Sequence, residues 1–205
     1  MKKGVITGDV SNFTSLEVGK REDLIKKTSK LIKSWVSKPE YAEIFRGDSF
    51  QLLFDNVDET LTRSIQLRCW FKQNADEHPL DARISIGFGE VAYLGTSVLD
   101  ADGEAFHLSG RAFDDMKNTH NYFQVLTDDS VLNEQLKVIL TLTNLVIGQW
   151  TKNQAEVIFL LLEGYTQQQM ADELKIAQSA VNNRLKLARW KEIDKTIRYI
   201  ASLMQ

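Results

Sequence analysis

The sequence predicts an α+β fold, a sheet domain carrying helices followed by an all-α segment. Three observations lead to it. Ala82, Ile84, Ile86 and Phe88 alternate with Arg83, Ser85 and Gly87, the period of a half-buried strand. Leu24, Ile25, Thr28, Leu31, Ile32, Trp35 and Val36 recur at helical spacing. After Trp150 the strand patterns stop, and short helical patterns punctuated by Gly164 and a Lys175-Ile176-Ala177 turn take over.

Gly4 to Asp9 reads as a short buried strand. The first helical stripe covers about 20–37, and Pro39 ends it because proline cannot donate to the helix ladder. Tyr41 to Arg46, Gly47-Asp48 and Ser49 to Phe54 form a hairpin with Asp48 at its tip. Val57, Leu61, Ile65 and Cys69, spaced four apart, give a second helix. A strand follows over Ala82 to Phe88, then a helix over Gly103 to Met116 and a last strand over Tyr122 to Leu126. Leu132, Leu136, Ile139, Leu142 and Val146 form a helix leading out of the domain. That order fits a split β-α-β or ferredoxin-like sheet with helices on one face. The chain divides into a sheet domain at 1–128, a connecting helix at 129–149 and a helical domain at 150–205.

Composition narrows the function classes. Two prolines and eleven glycines among 205 residues leave little room for long disordered stretches. The single Cys69 excludes an internal disulfide framework and suits a reducing cytoplasm. The longest apolar run, Val157 to Leu162, is six residues, far short of the ~20 that cross a bilayer. Met1-Lys2-Lys3 leads into a strand pattern rather than a signal-peptide core. A cytoplasmic protein without a membrane partner is expected. His78 and His120 fall in loops without partners at metal-ligand spacing, and no catalytic triad or zinc pattern stands out. Trp35, Trp70, Trp150 and Trp190 read as packing anchors, and Cys69 as core.

The net charge of −3 conceals an asymmetry. Residues 151–205 carry eight Lys and Arg against six Asp and Glu, a balance of +2, which leaves −5 for residues 1–150. The excess concentrates in Lys175, Arg184, Lys186, Arg189, Lys191, Lys195 and Arg198 and can meet phosphate. Thr151 and Thr166 are placed to cap helices running to Glu163 and over Gln167 to Leu174, and Gly164 stops the first. A third helix is expected from about Gln178 to Trp190. Ala171 and Val181 lie ten residues apart across the intervening turn, with Met170, Leu174, Ile176 and Leu185 at inward positions. This stretch resembles the helix-turn-helix of sigma-factor region 4 and of LuxR-type regulators. The resemblance implies DNA as partner. Gln178, Ser179, Asn182, Asn183 and Lys186 are residue types that read base edges, and Arg184, Arg189 and Lys191 suit phosphates. Lys175 departs from the usual turn glycine, and Ala177 from the usual hydroxyl cap. A trihelical module for protein contact is the competing reading. Ile193, Ile197, Ile200 and Met204 form a further packing stripe, against the domain or a second copy.

The N-terminal region carries acids in fixed contexts, Asp9 after Val5-Ile6-Thr7-Gly8 and Asp48 after Ile44-Phe45-Arg46-Gly47. Carboxylates on paired strands can hold Mg²⁺ or Mn²⁺ against a nucleotide triphosphate, and the loop from Val10 to Thr14 can offer N–H groups to phosphate. Asp9-Val10-Ser11-Asn12-Phe13-Thr14, Gly47-Asp48 and Arg83-Ile84-Ser85-Ile86-Gly87-Phe88-Gly89 resemble motifs of class III nucleotide cyclases. The resemblance implies Asp9 and Asp48 as metal ligands, Asp100 and Arg111 as contacts to a purine nucleotide, and His107 and Arg111 as catalytic candidates. Ile44 stands where ATP-using cyclases keep a base-selecting lysine, and His107 stands in an asparagine position. His107 and Arg111 read equally well as a surface stripe paired with Glu104 and Asp115.

Ile6-Thr7-Gly8-Asp9, Gly47-Asp48-Ser49-Phe50-Gln51, Ile86-Gly87-Phe88-Gly89-Glu90, Asp102-Gly103-Glu104-Ala105-Phe106 and the segment Gln178 to Lys186 together resemble the SatD family across the whole chain. That resemblance implies a nucleotide cyclase-like domain joined to a helix-turn-helix domain, with Ser49 where members often carry glutamate. The expected function is a DNA-binding transcription regulator whose N-terminal domain forms a homodimer and senses a nucleotide. The alternative is a metal-dependent nucleotidyl cyclase, a lyase, or another nucleotide triphosphate enzyme. A scaffold without either activity is the third reading.

Overall fold

The computed structural model describes residues 2–75, 77–116 and 121–204. His120 lies outside them, as does Met1. Among the described residues five strands, β1 (Lys3–Ser11), β2 (Ala42–Phe45), β3 (Ser49–Phe54), β4 (Asp81–Gly89) and β5 (Phe123–Leu126), form one sheet in the order β2-β3-β1-β4-β5. Neighbours are antiparallel except β4 and β5, which run parallel, so the sheet is mixed. Among the described residues eight α-helices accompany it, α1 (Val18–Trp35), α2 (Val57–Gln73), α3 (Glu104–Met116), α4 (Ser130–Gly148), α5 (Lys152–Leu162), α6 (Gln167–Leu174), α7 (Gln178–Leu187) and α8 (Trp190–Ser202).

Side chains alternate across the strands, so register decides which residues share a face. Ile6 pairs with Leu52 and Ile86, and these belong to the main core with Phe50, Phe88, Phe123 and the α2 residues Leu61, Ile65 and Cys69. Cys69 is fully buried, and burial pushes its thiol pKa upward. A Cβ on Gly4 would lie 2.2 Å from the Thr60 hydroxyl, so α2 meets this face almost without clearance.

The other face is also covered, contrary to the one-sided arrangement expected. Val5, Leu53, Val98, Ala105 and Phe106 form a second cluster, and a Cβ on Gly87 would lie 2.2 Å from the Ala105 carbonyl. Glycine at position 87 lets the α3 backbone rest directly on β4. Ser109 of α3 then bonds Thr7 at 3.0 Å and accepts at its carbonyl from Ser85 at 2.8 Å.

Helix α4 begins at the cap Asp129, whose carboxylate accepts from the Val131 and Leu132 N–H groups. Its inner face buries Leu136, Leu140, Thr143 and Ile147. On its outer face Val131, Val138, Leu142 and Leu145 are between 62% and 68% exposed. Helix α5 docks on α2, where the Trp70 and Phe159 rings lie 5.7 Å apart and Glu163 accepts from Arg63 at 2.9 Å and from Gln66. One apolar core therefore runs from Ile6 through α2 to Ala201.

Thr151 and Thr166 cap α5 and α6, each completing a reciprocal box with the glutamine three residues on. Helix α7 stops at Leu187 instead of reaching Trp190. The Trp150 indole N–H donates to the Ala188 carbonyl at 2.8 Å, Arg189 turns left-handed at φ 55, and Trp190 opens α8 with its ring 6.3 Å from Trp150. Ile193, Ile197 and Ile200 of α8 are buried in the same core. No helix among the described residues is long and apolar enough to cross a membrane.

Candidate functional site

The β1–β3 pairing places Asp9 opposite Ser49, and the β1–β4 pairing places it opposite Arg83. Asp48 follows a turn in which Arg46 (φ 52) and Gly47 (φ 89) both adopt left-handed backbone, and its carbonyl accepts from Val10 N–H at 3.1 Å. Asp9 and Asp48 are thus neighbours, as the hairpin reading required. Their carboxylates have different partners. Asp9 is held by Arg83 at two points, Nε to Oδ1 at 2.8 Å and the second guanidinium nitrogen to Oδ2, and Asp48 Oδ1 accepts from Ser49 Oγ at 3.4 Å. The bond to Asp9 leads the influences that raise the Arg83 pKa. A guanidinium already occupies both Asp9 oxygens, so this arrangement does not fit a divalent cation. Among the described residues no group of three or more His, Cys, Asp or Glu is placed to hold a metal ion.

The remaining residues of that constellation lie elsewhere. Asp100 is exposed in a 3-10 turn at Val98–Asp100 and accepts from Thr96 Oγ1 at 3.0 Å. Helix α3 buries Ala105, Phe106, Leu108, Ser109, Ala112 and Met116, which puts His107 and Arg111 on its opposite, exposed face. His107 Nε2 is 2.7 Å from Asp102, and Arg111 Nε donates to the His107 carbonyl at 3.4 Å. The structure brings together Asp9, Asp48 and Arg83, and leaves His107 and Arg111 on the far side of α3.

The second cluster is built by α6 and α7. Lys175 ends α6 in a left-handed conformation (φ 52, ψ 47), and Ala177 precedes α7 without a side-chain cap. Val181 and Leu185 turn into the core, alongside Met170 and Ala171 of α6. The helical period then puts Gln178, Ser179, Asn182, Asn183 and Lys186 together on the exposed face of α7. Arg184 departs from that group. It is half-buried on the inner flank, 3.4 Å from Glu156 of α5. Lys186, Arg189 and Lys191 share a groove of 380 Å³ with Asn182, Trp190 and one acid, Glu192. This face offers amide, hydroxyl and ammonium groups, with cations along one border.

A buried charge cluster joins α2 to the sheet, and the sequence reading missed it. Arg68 is 1% exposed and forks onto both Asp81 oxygens at 2.9 and 2.7 Å, while Lys72 reaches Asp81 at 3.0 Å. Burial pushes the Asp81 carboxyl up, but the two cations outweigh it and hold the pKa below the usual carboxylate range. Arg68 also donates to Asn144 of α4 at 3.0 Å, and Lys72 to the Gly148 carbonyl at 3.2 Å. The available signal was spacing, because Arg68 and Lys72 continue the buried stripe of Leu61 and Ile65 at helical intervals.

The model of the SatD family matches residues 6–201. The chain belongs to the SatD family. No curated protein matches it.

Proposed function

Starting from that membership, we propose that the chain is a DNA-binding transcription regulator, with α6 and α7 as its helix-turn-helix and α7 as the recognition helix. The observation that carries the reading is the exposed face of α7. Five polar residues able to bond base edges lie there together, while Val181 and Leu185 hold the helix against the rest of the module. Arg189 and Lys191 line the neighbouring groove as cations suited to phosphate. Arg184 pairs with Glu156 and ties α7 to α5, which supports a positioning part for it in this reading.

The N-terminal part is read as ferredoxin-like and nucleotide cyclase-like. The order β4-β1-β3-β2, with β1 and β2 parallel around an intervening antiparallel β3, supports the split β-α-β assignment. Two copies would present paired recognition helices, and the exposed apolar stripe on α4 supports pairing. A cytoplasmic location fits a protein that acts on DNA.

Binding of the purified protein to its own upstream DNA and to a random duplex pool, at low and moderate salt, tests the proposal. Sequence-selective binding weakened by Lys186→Glu is expected. Equal, fully salt-sensitive affinity for every duplex would defeat it.

A metal-dependent nucleotide enzyme is the second reading, supported by the adjacency of Asp9 and Asp48. It requires Asp9 to exchange Arg83 for Mg²⁺ or Mn²⁺. Turnover of ATP or GTP abolished by Asp9→Ala would establish it.

A further inference from the structure

We infer that the chain binds a small organic anion in a cavity between the ends of β1, β4 and β5 and helices α2 and α4. The cavity measures 490 Å³, within the range of about 300–1,000 Å³ that holds small ligands. Its floor is the charge cluster of Arg68, Lys72 and Asp81. Two cations face one carboxylate there, and both cations are buried, at 1% and 8% exposure. Buried charges are costly unless compensated, so the excess positive charge is the strongest feature of the wall. The Gly148 carbonyl, at the negative end of α4, offsets part of it through Lys72. An anionic group entering the cavity completes the compensation.

The remaining walls say what is attached to that anionic group. Leu80, Leu145 and the Tyr122 ring provide apolar surface, and the Arg68 guanidinium stands 5.8 Å over that ring. Ser11 and Asn144 add polar groups, with the Ser11 hydroxyl 2.9 Å from that of Tyr122. One charged end, a flat apolar wall and a few fixed polar groups suit a carboxylate or phosphate carried on a ring-sized body. No residue of the α7 face lines this cavity, nor do Asp9 and Arg83, so its occupancy does not depend on the DNA-binding proposal. Lys72 nevertheless links it to the last residue of α4, just ahead of the C-terminal helices.

Calorimetric titration of the full chain with inorganic phosphate, benzoate and adenosine monophosphate tests the inference, with thermal melting as a check on folding. Thr141→Trp, at the exposed rim, fills the space without touching the charge cluster. Lys72→Met removes one cation and keeps the aliphatic stem. Saturable binding of benzoate or the nucleotide below about 1 mM, lost in Thr141→Trp and at least about tenfold weaker in Lys72→Met, is the expected result. Binding of phosphate alone would overturn the organic body. The absence of saturation by any probe, or affinity unchanged in Thr141→Trp, would overturn the site itself.

Discussion

Arg83 faces Asp9 across the β1–β4 register and holds both of its carboxylate oxygens. A metal ion at Asp9 must therefore compete with a tethered guanidinium. Arg83→Ala should strengthen Mn²⁺ binding by about tenfold, the effect of ~1.4 kcal/mol, and Asp9→Ala in the same background should abolish the gain. Calorimetry on the three proteins decides it. Equal Mn²⁺ affinity in wild type and Arg83→Ala would mean that the pair does not control metal access.

The Arg68–Asp81–Lys72 cluster should dominate acid sensitivity. The folded-state pKa of Asp81 is depressed, so its contribution is present above its unfolded value of about 3.9 and is lost as pH falls through the lower folded value. Asp81→Asn leaves two buried cations uncompensated and should cost about 3–5 kcal/mol near neutral pH. Urea unfolding at several pH values should show the gap between wild type and variant closing below about pH 4. A gap independent of pH would contradict this account.

Arg184 and Lys186 are two residues apart in α7 and should behave differently. Arg184→Ala removes the contact to Glu156 and should lower stability by about 1 kcal/mol, with little effect on DNA affinity per folded molecule. Lys186→Ala is exposed and should leave stability within about 0.5 kcal/mol, while weakening DNA binding and flattening its salt dependence. Melting curves and binding isotherms together separate the two roles.

Lys175 sits in left-handed backbone at φ 52, a conformation in which its Cβ crowds the following carbonyl. Lys175→Gly should stabilise the chain by about 0.5–1 kcal/mol, after allowing for the greater freedom of glycine in the unfolded state. A melting temperature higher by about 2–4 °C is expected, and a drop would show that the lysine side chain supplies a compensating contact.

Val138 and Leu142 lie on the exposed stripe of α4, a surface helix with only two charged residues, Glu134 and Lys137. Val138→Glu with Leu142→Glu should shift the molar mass by light scattering from dimer to monomer. A wild-type protein that stays monomeric at high concentration removes the pairing reading.

Much of the fold was legible because local signals agreed with tertiary packing. Thr151 and Thr166 stood at capping positions, and the structure adds their glutamine partners Gln154 and Gln169. The hairpin and strand patterns made the Asp9–Asp48 adjacency conditional on β1 pairing with the hairpin, and the structure supplies that pairing. What escaped depends on contacts between distant segments. The position of α3 on the second face was foreshadowed only by Gly87, whose missing side chain allows the close approach. The end of α7 is set by the Trp150 indole, 38 residues away from Ala188 in sequence. His107 and Arg111 matched a motif spacing, but helical phase turns them away from the sheet.

The docking of α5 on α2 bears on how the C-terminal helices can be separated from the rest. Trp70, Arg63 and Gln66 of α2 hold Phe159 and Glu163 of α5. A fragment beginning at Trp150 would leave Phe159 without the Trp70 ring it packs on and Glu163 without its two donors. Transplanting the C-terminal helices onto another scaffold would therefore have to carry the facing side of α2 with them. The C-terminal helices are joined to the sheet by a shared interior, so the sheet's own roof is also the floor on which they stand.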